Sequence, residues 1–175
     1  MKRASIQRKS EQGFTLIEVM IAVLVLSIGL LGLAGLQVTA LQNNQGAFMR
    51  SQATALAYDL ADRMRANVLG TISGNYNPAN AGVDANCGTT TGCSPQAMAE
   101  NDLQDWNTSI ATYLPMGEGF VCIDSTPGDG TSAAAPACDG VGTQFAIKIW
   151  WDENKDGVIT TTALNMERLE ISFQP

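Results

Sequence analysis

Gly13-Phe14-Thr15-Leu16-Ile17-Glu18-Val19-Met20 opens the stretch that decides this chain, and from Val19 to Leu36 only Ser27 interrupts an apolar run of 18 residues. At about 1.5 Å per residue such a run makes roughly 27 Å of helix, close to the hydrocarbon thickness of a bilayer, and Leu16 and Ile17 complete the span. Lys2, Arg3, Arg8 and Lys9 flank it on the amino-terminal side only. The positive-inside bias then holds that leader in the cytoplasm and exports the rest of the chain. A secretory signal peptide is cut after its apolar run, at small residues. Here the distinctive junction, Gly13-Phe14, precedes the run, so a cut at that point keeps the span in the mature chain. An uncut signal-anchor is the plain alternative. Glu18 weighs against it: a carboxylate near the end of a spanning helix costs about 2–4 kcal/mol and calls for a partner or a function.

Together these residues resemble the class III leader of type IV pilins and of type II secretion pseudopilins. The resemblance implies that a prepilin peptidase, a membrane aspartyl protease, cuts after Gly13 and methylates Phe14. It also implies that Glu18, fifth in the mature chain, meets the free terminal amine of a neighbouring subunit during assembly.

The whole chain has 175 residues, room for one modest domain besides a long helix. Without residues 1–13 it carries six Lys and Arg against sixteen Asp and Glu, a side-chain net charge of −10. That balance argues against nucleic-acid binding, which rests on phosphate neutralisation, and against a peripheral binder of anionic membranes. Cys87, Cys93, Cys122 and Cys138 all lie in the exported part, where an oxidising compartment lets them pair. Four cysteines allow three connectivities. Cys87–Cys93 with Cys122–Cys138 is expected, because each pair brackets a loop rich in Gly, Thr, Ser, Ala or Pro. A zinc site is the rival reading, disfavoured by spacings other than CxxC and by the lack of any histidine.

From Phe14 to about Leu69 there is no proline. Past the apolar run, Phe48, Ala53, Leu56, Ala57, Leu60, Ala61, Met64 and Val68 come at helical spacing, with Gln52, Asp59, Asp62, Arg63 and Arg65 opposite. One helix of about 55 residues is predicted, well beyond the usual length. Its segments are a leader (1–13), a transmembrane or fibre-core half (14–36) and an amphipathic half (37–69), followed by a head (70–175). Gly29, Gly32 and Gly35 each cost roughly 1 kcal/mol against Ala inside a helix. Close helix packing in the membrane is one reason for them; local unwinding of the segment, as the pilin resemblance suggests, is the other.

Gly70 to Ser94 reads as loop. Ser94-Pro95 reads as the cap and first residue of a second helix, whose apolar face is Leu103, Trp106, Ile110 and Leu114 and which ends before Pro115. Phe120–Ile123 begins a strand region, and a loop from Asp124 to Gly142 comes next. Phe145, Ile147, Ile149 and Trp151 alternate with Ala146, Lys148 and Trp150, giving a strand with one buried face; Leu169, Ile171 and Phe173 mark a last strand. These two strands are expected to pair antiparallel against the long helix. The fold class is then α+β and pilin-like: a long N-terminal transmembrane and amphipathic helix packed on a small antiparallel sheet head with disulfide-bracketed loops.

Within the pilins, Ser27–Gln37, Gly92-Cys93-Ser94-Pro95, Asp102-Leu103, Trp106, Leu114-Pro115, Gly117, Gly119, Val121-Cys122 and the tail Ser172–Pro175 resemble the type IV pilus modification protein (PilV) family of minor pilins. This resemblance implies a low-abundance subunit that helps prime pilus assembly with other minor pilins, the major pilin and a tip adhesin, on an inner-membrane assembly platform. A minor pseudopilin of type II secretion is the alternative, and an uncut anchored periplasmic binding protein a distant one. The implied location is the inner membrane of a Gram-negative bacterium with a periplasmic head, then the pilus at the cell surface.

Asp152, Asn154 and Asp156 with Gly157, the Val158 carbonyl and Thr160 match the first part of an EF-hand-like calcium loop, with apolar Ile159 where such loops have one. The twelfth position is Ala163, not a bidentate Glu. A solvated turn bent at Asp156-Gly157 is therefore the expectation, and calcium the alternative; no other cofactor or metal is expected. Catalysis is disfavoured by the lack of histidine and of any nucleophile motif such as GxSxG. Alternation puts one of Trp150 and Trp151 in the core and the other on an outer sheet face, as a subunit contact.

Overall fold

The structure is a computed structural model that describes residues 13–77, 81–162 and 165–174, except the side chains of 162, 165 and 166. The leader cations Lys2, Arg3, Arg8 and Lys9, the loop position Ala163 and the terminal Pro175 lie outside the described residues. The elements run α1 (Leu16–Ala66), α2 (Val68–Ile72), α3 (Pro95–Tyr113), β1 (Glu118–Ile123), β2 (Phe145–Trp150), β3 (Thr161–Thr162), β4 (Asn165–Met166) and β5 (Arg168–Phe173). They fall into two compact units, Met1–Asn44 and Gln45–Pro175.

In the first unit every described residue is exposed, including the whole apolar run. Helix α1 accounts for nearly all of its described residues, and past the first turn its N–H groups are satisfied within the helix. The few hydroxyls do the same: Ser27 Oγ donates to the Val23 carbonyl (2.7 Å) and Thr39 Oγ1 to that of Gly35 (3.2 Å). Both polar side chains are thereby made compatible with an apolar medium. Helix α1 is long and apolar enough to cross a membrane.

In the second unit α1 presents Met49, Ala53, Leu56, Ala57, Leu60, Ala61 and Met64 to the core, a stripe at steps of three and four. Phe48 and Val68, expected on that stripe, are exposed at 62% and 52%. Phe48 is one position out of phase, and Met49 takes its place. Val68 lies beyond the end of α1, because Asn67 (φ −100°, ψ 61°) leaves helical geometry and caps the short α2 by accepting from Gly70 N–H. The helix is thus 51 residues long and stops before Leu69, and the segment expected as loop from Gly70 opens on α2. Asn67 Nδ2 also donates to the Pro95 carbonyl (2.8 Å), tying this corner to the start of α3.

Helix α3 begins as its cap predicts: Ser94 Oγ accepts from Ala97 N–H, with Pro95 at the first turn. Leu103, Trp106 and Ile110, with Leu114 at the C-cap, are all buried. Trp106 reaches across the core, and its indole N–H donates to the Leu56 carbonyl of α1 (2.9 Å). Strand β1 passes so close to α3 that a Cβ on Gly119 would stand 2.5 Å from the Trp106 ring. The sheet has the order β1-β2-β5, antiparallel throughout, with Val121 opposite Ile147 and Ile147 opposite Ile171. Strands β3 and β4 form a separate two-stranded ribbon.

Strand β2 departs from the one-faced pattern: all six residues are buried, so Ala146, Lys148 and Trp150 face protein and not solvent. The chain from Asp124 to Gly142 folds over that second face. Lys148 Nζ pairs with Asp124 Oδ2 (2.6 Å) and Asp129 Oδ1 (2.8 Å) and donates to the Pro136 carbonyl (2.7 Å). Arg168 of β5 donates to the Gly128 and Gly130 carbonyls. Trp150 and Trp151 are both fully buried, so neither is the outward aromatic expected as a subunit contact. Disulfides join Cys87 to Cys93 and Cys122 to Cys138.

Candidate functional site

The junction Gly13-Phe14 lies in non-helical chain immediately before α1, and Phe14 is 83% exposed. Thr15 starts the helix: its carbonyl accepts from the N–H groups of Glu18 and Val19, and its Oγ1 from that of Glu18 (3.3 Å). Thr15 and Glu18 have the spacing of a capping box, a helix-start signal that sits inside the leader motif. Glu18 is therefore in the first turn, where the positive end of the helix dipole favours a carboxylate. Among the described residues no ion pair reaches Glu18, and the helix end is what answers its charge there. A cation on another molecule could occupy that place.

Gly29, Gly32 and Gly35 have no neighbour within 4 Å of the position a Cβ would take. Nothing among the described residues demands glycine there. Whether they serve contacts between chains or local unwinding, α1 runs through them as continuous helix.

The segment from Asp152 to Thr160 is a turn built on one carboxylate. Asp152 is 2% exposed; its Oδ1 accepts from Lys155 and Asp156 N–H and its Oδ2 from Gly157 N–H. Asn154 Oδ1 accepts from Asp156 N–H, and Asp156 Oδ1 from Val158 N–H. Gly157 has φ +86°, which glycine adopts without strain. The bend at Asp156-Gly157 is readable from sequence; the depth of Asp152 is not. Another buried acid joins it: Glu167, 0% exposed, accepts from Thr160 N–H through Oε2. Nothing in the sequence around Glu167 marks it, since Met166 and Arg168 give no pattern that separates a buried from a solvated acid.

Cys122, Asp124 and Cys138 bring three metal-ligating residues together. Both sulfurs belong to the disulfide and Asp124 is paired with Lys148, so this group is structural.

Two family models match the chain. The prokaryotic N-terminal methylation motif matches residues 8–34, and the Tt1218-like model, described as type IV pilin Tt1218, matches residues 35–104. The match to the methylation motif is thus followed directly by the match to the type IV pilin model. Comparison with curated proteins and with solved structures gave no significant match.

Proposed function

We propose that this protein is a minor pilin, a non-catalytic subunit that helps prime type IV pilus assembly. The observation that carries the reading is Glu18: a carboxylate with no ion pair among the described residues, in the first turn of an exposed apolar helix, four residues past Phe14 of a matched methylation motif. On this reading prepilin peptidase cuts after Gly13 and methylates Phe14. The apolar half of α1 first holds the chain in the inner membrane with the head in the periplasm. It then passes into the fibre core, where Glu18 meets the terminal amine of a neighbour. Partners would be other minor pilins, the major pilin, a tip adhesin and the assembly platform. The minor role rests on the head motifs that resemble the PilV family, and a secretion pseudopilin shares the leader and the helix.

The test is the intact, non-reduced mass of protein purified from its native membrane or sheared fibres. The expected chain starts at Phe14, is one methyl heavier and lacks four hydrogens for its two disulfides. A full-length, unmethylated chain from cells with active prepilin peptidase would refute the processing and leave an uncut anchored protein. Copurification with pilins, and not with pseudopilins, separates pilus from secretion.

A further inference from the structure

The buried charges of the head divide into two groups. Asp124 has Lys148, and Asp102 accepts from Tyr76 Oη (2.6 Å) and from Arg63 (3.5 Å). Asp152 and Glu167 are buried as deeply, yet no ion pair among the described residues reaches either, and Glu167 Oε1 has no hydrogen-bond partner among them. A buried carboxylate left without a cation costs several kcal/mol. Both unanswered acids border one short loop. Glu167 faces it from the returning chain: its N–H donates to the Thr160 carbonyl, and its Oε2 accepts from Thr160 N–H.

We propose that Asp152, Asn154, Asp156, the Val158 carbonyl and Glu167 bind one calcium ion. The loop supplies oxygens at its first, third, fifth and seventh positions, as an EF-hand-like loop does. Ala163 at the twelfth cannot supply the usual closing carboxylate, and Glu167, paired with the ninth residue Thr160, takes that role from outside the loop. Enough acceptor capacity remains for a cation. Asp152 uses three of about four carboxylate lone-pair sites on backbone N–H groups; Asp156 uses two, on Val158 N–H and Asn154 Nδ2; Glu167 uses one. An all-oxygen set suits a hard cation, and carboxylates with a carbonyl on a loop suit calcium better than magnesium, which demands near-octahedral geometry.

The ion would secure the place where this loop meets α1. The Glu153 side chain fills the space that a Cβ on Gly46 would need, and Glu153 pairs with Arg50 (3.0 Å). The site rests on the head alone and holds whether the subunit serves a pilus or a secretion system.

The experiment uses the detergent-solubilised mature chain, stripped with chelator. Terbium binding is read by luminescence excited through tryptophan, since Trp151 adjoins Asp152. Calcium chloride should displace terbium at concentrations at least ten-fold below magnesium chloride, and should raise the thermal transition. Glu167→Gln, which keeps size and one acceptor, should weaken calcium at least ten-fold, as should Asp156→Asn on the solvent side of the loop. Asp62→Asn, removing an exposed acid of α1, should change nothing. Terbium luminescence in the parent no stronger than in Asp156→Asn, equal displacement by both metals, or an unchanged affinity in a folded Glu167→Gln would each overturn the assignment.

Discussion

Lys148 is the residue on which the second face of the sheet depends. It lies in the middle strand with no solvent exposure, and its ammonium answers Asp124, also fully buried. Removing one partner of such a pair leaves an uncompensated charge, so Lys148→Met should cost about 3–5 kcal/mol of head stability in a denaturant titration. Adding Asp124→Leu to that variant should restore part of the loss, since a well-packed apolar pair replaces an ionic one with little net penalty. Asp129 supplies a pH signature. Hydrogen bonding from Lys148 is the largest cause holding its carboxyl below the usual range. A carboxyl lowered on folding contributes stability above its unfolded value near 4, and that contribution is lost as pH falls through the folded value. In Lys148→Met this acid-side loss should shrink; an unchanged pH profile of the thermal transition would show that Asp129 is held by something else. Gly119 poses a steric case. A Cβ there would meet Trp106 and Ile110, so Gly119→Ala should destabilise by about 1–3 kcal/mol through overpacking.

Between elements, the disulfides contribute unequally. Cys122–Cys138 spans 16 residues and pins the segment that covers β2, whereas Cys87–Cys93 spans six within a surface loop. Chain-entropy arguments give about 3 kcal/mol for a loop of about 15 residues and less for a shorter one. Cys122→Ser/Cys138→Ser should therefore lower the thermal transition more than Cys87→Ser/Cys93→Ser. Equal losses would mean that Lys148, Arg168 and the covering segment's backbone hydrogen bonds, such as Ala133 N–H to Glu118, hold it without help from the disulfide. The same segment marks how far the sequence can be read. Helix α3, the spine of α1 and the alternation of β2 and β5 rest on local periodicity, and local periodicity is written in neighbouring residues. Alternation, however, tells only that two faces differ; it does not say whether something distant covers the polar one. Lys148 reads as outward-facing because its partners, Asp124 and Asp129, come from another part of the chain. Phe48 reads as part of the stripe because an apolar residue one step away looks the same until packing chooses between Phe48 and Met49. The first part of the Asp152 loop is legible as a motif, but Glu167 joins it only through the return of the chain.

At the scale of the whole molecule the chain consists of a unit with its own core and a helix segment with none. Every described residue of the first unit is exposed, and the apolar side chains from Val19 to Leu36 have no partner within the described chain. A surface of that kind needs lipid or other helices around it. The two units therefore have separate requirements, since effects at sites without shared partners add independently. Glu18→Ala should leave the head's thermal transition unchanged and leave cleavage and methylation at Phe14 intact. It should lower the amount of subunit recovered in sheared fibres, because the carboxylate that would receive a neighbour's amine is gone. Lys148→Met should do the reverse: normal processing at the membrane, with a head that melts at lower temperature. Fibres holding normal amounts of Glu18→Ala would exclude the carboxylate as an assembly contact. The acid would then act only within its own helix, as the first-turn charge beside the Thr15 cap, and the drive for assembly would have to come from the apolar face alone.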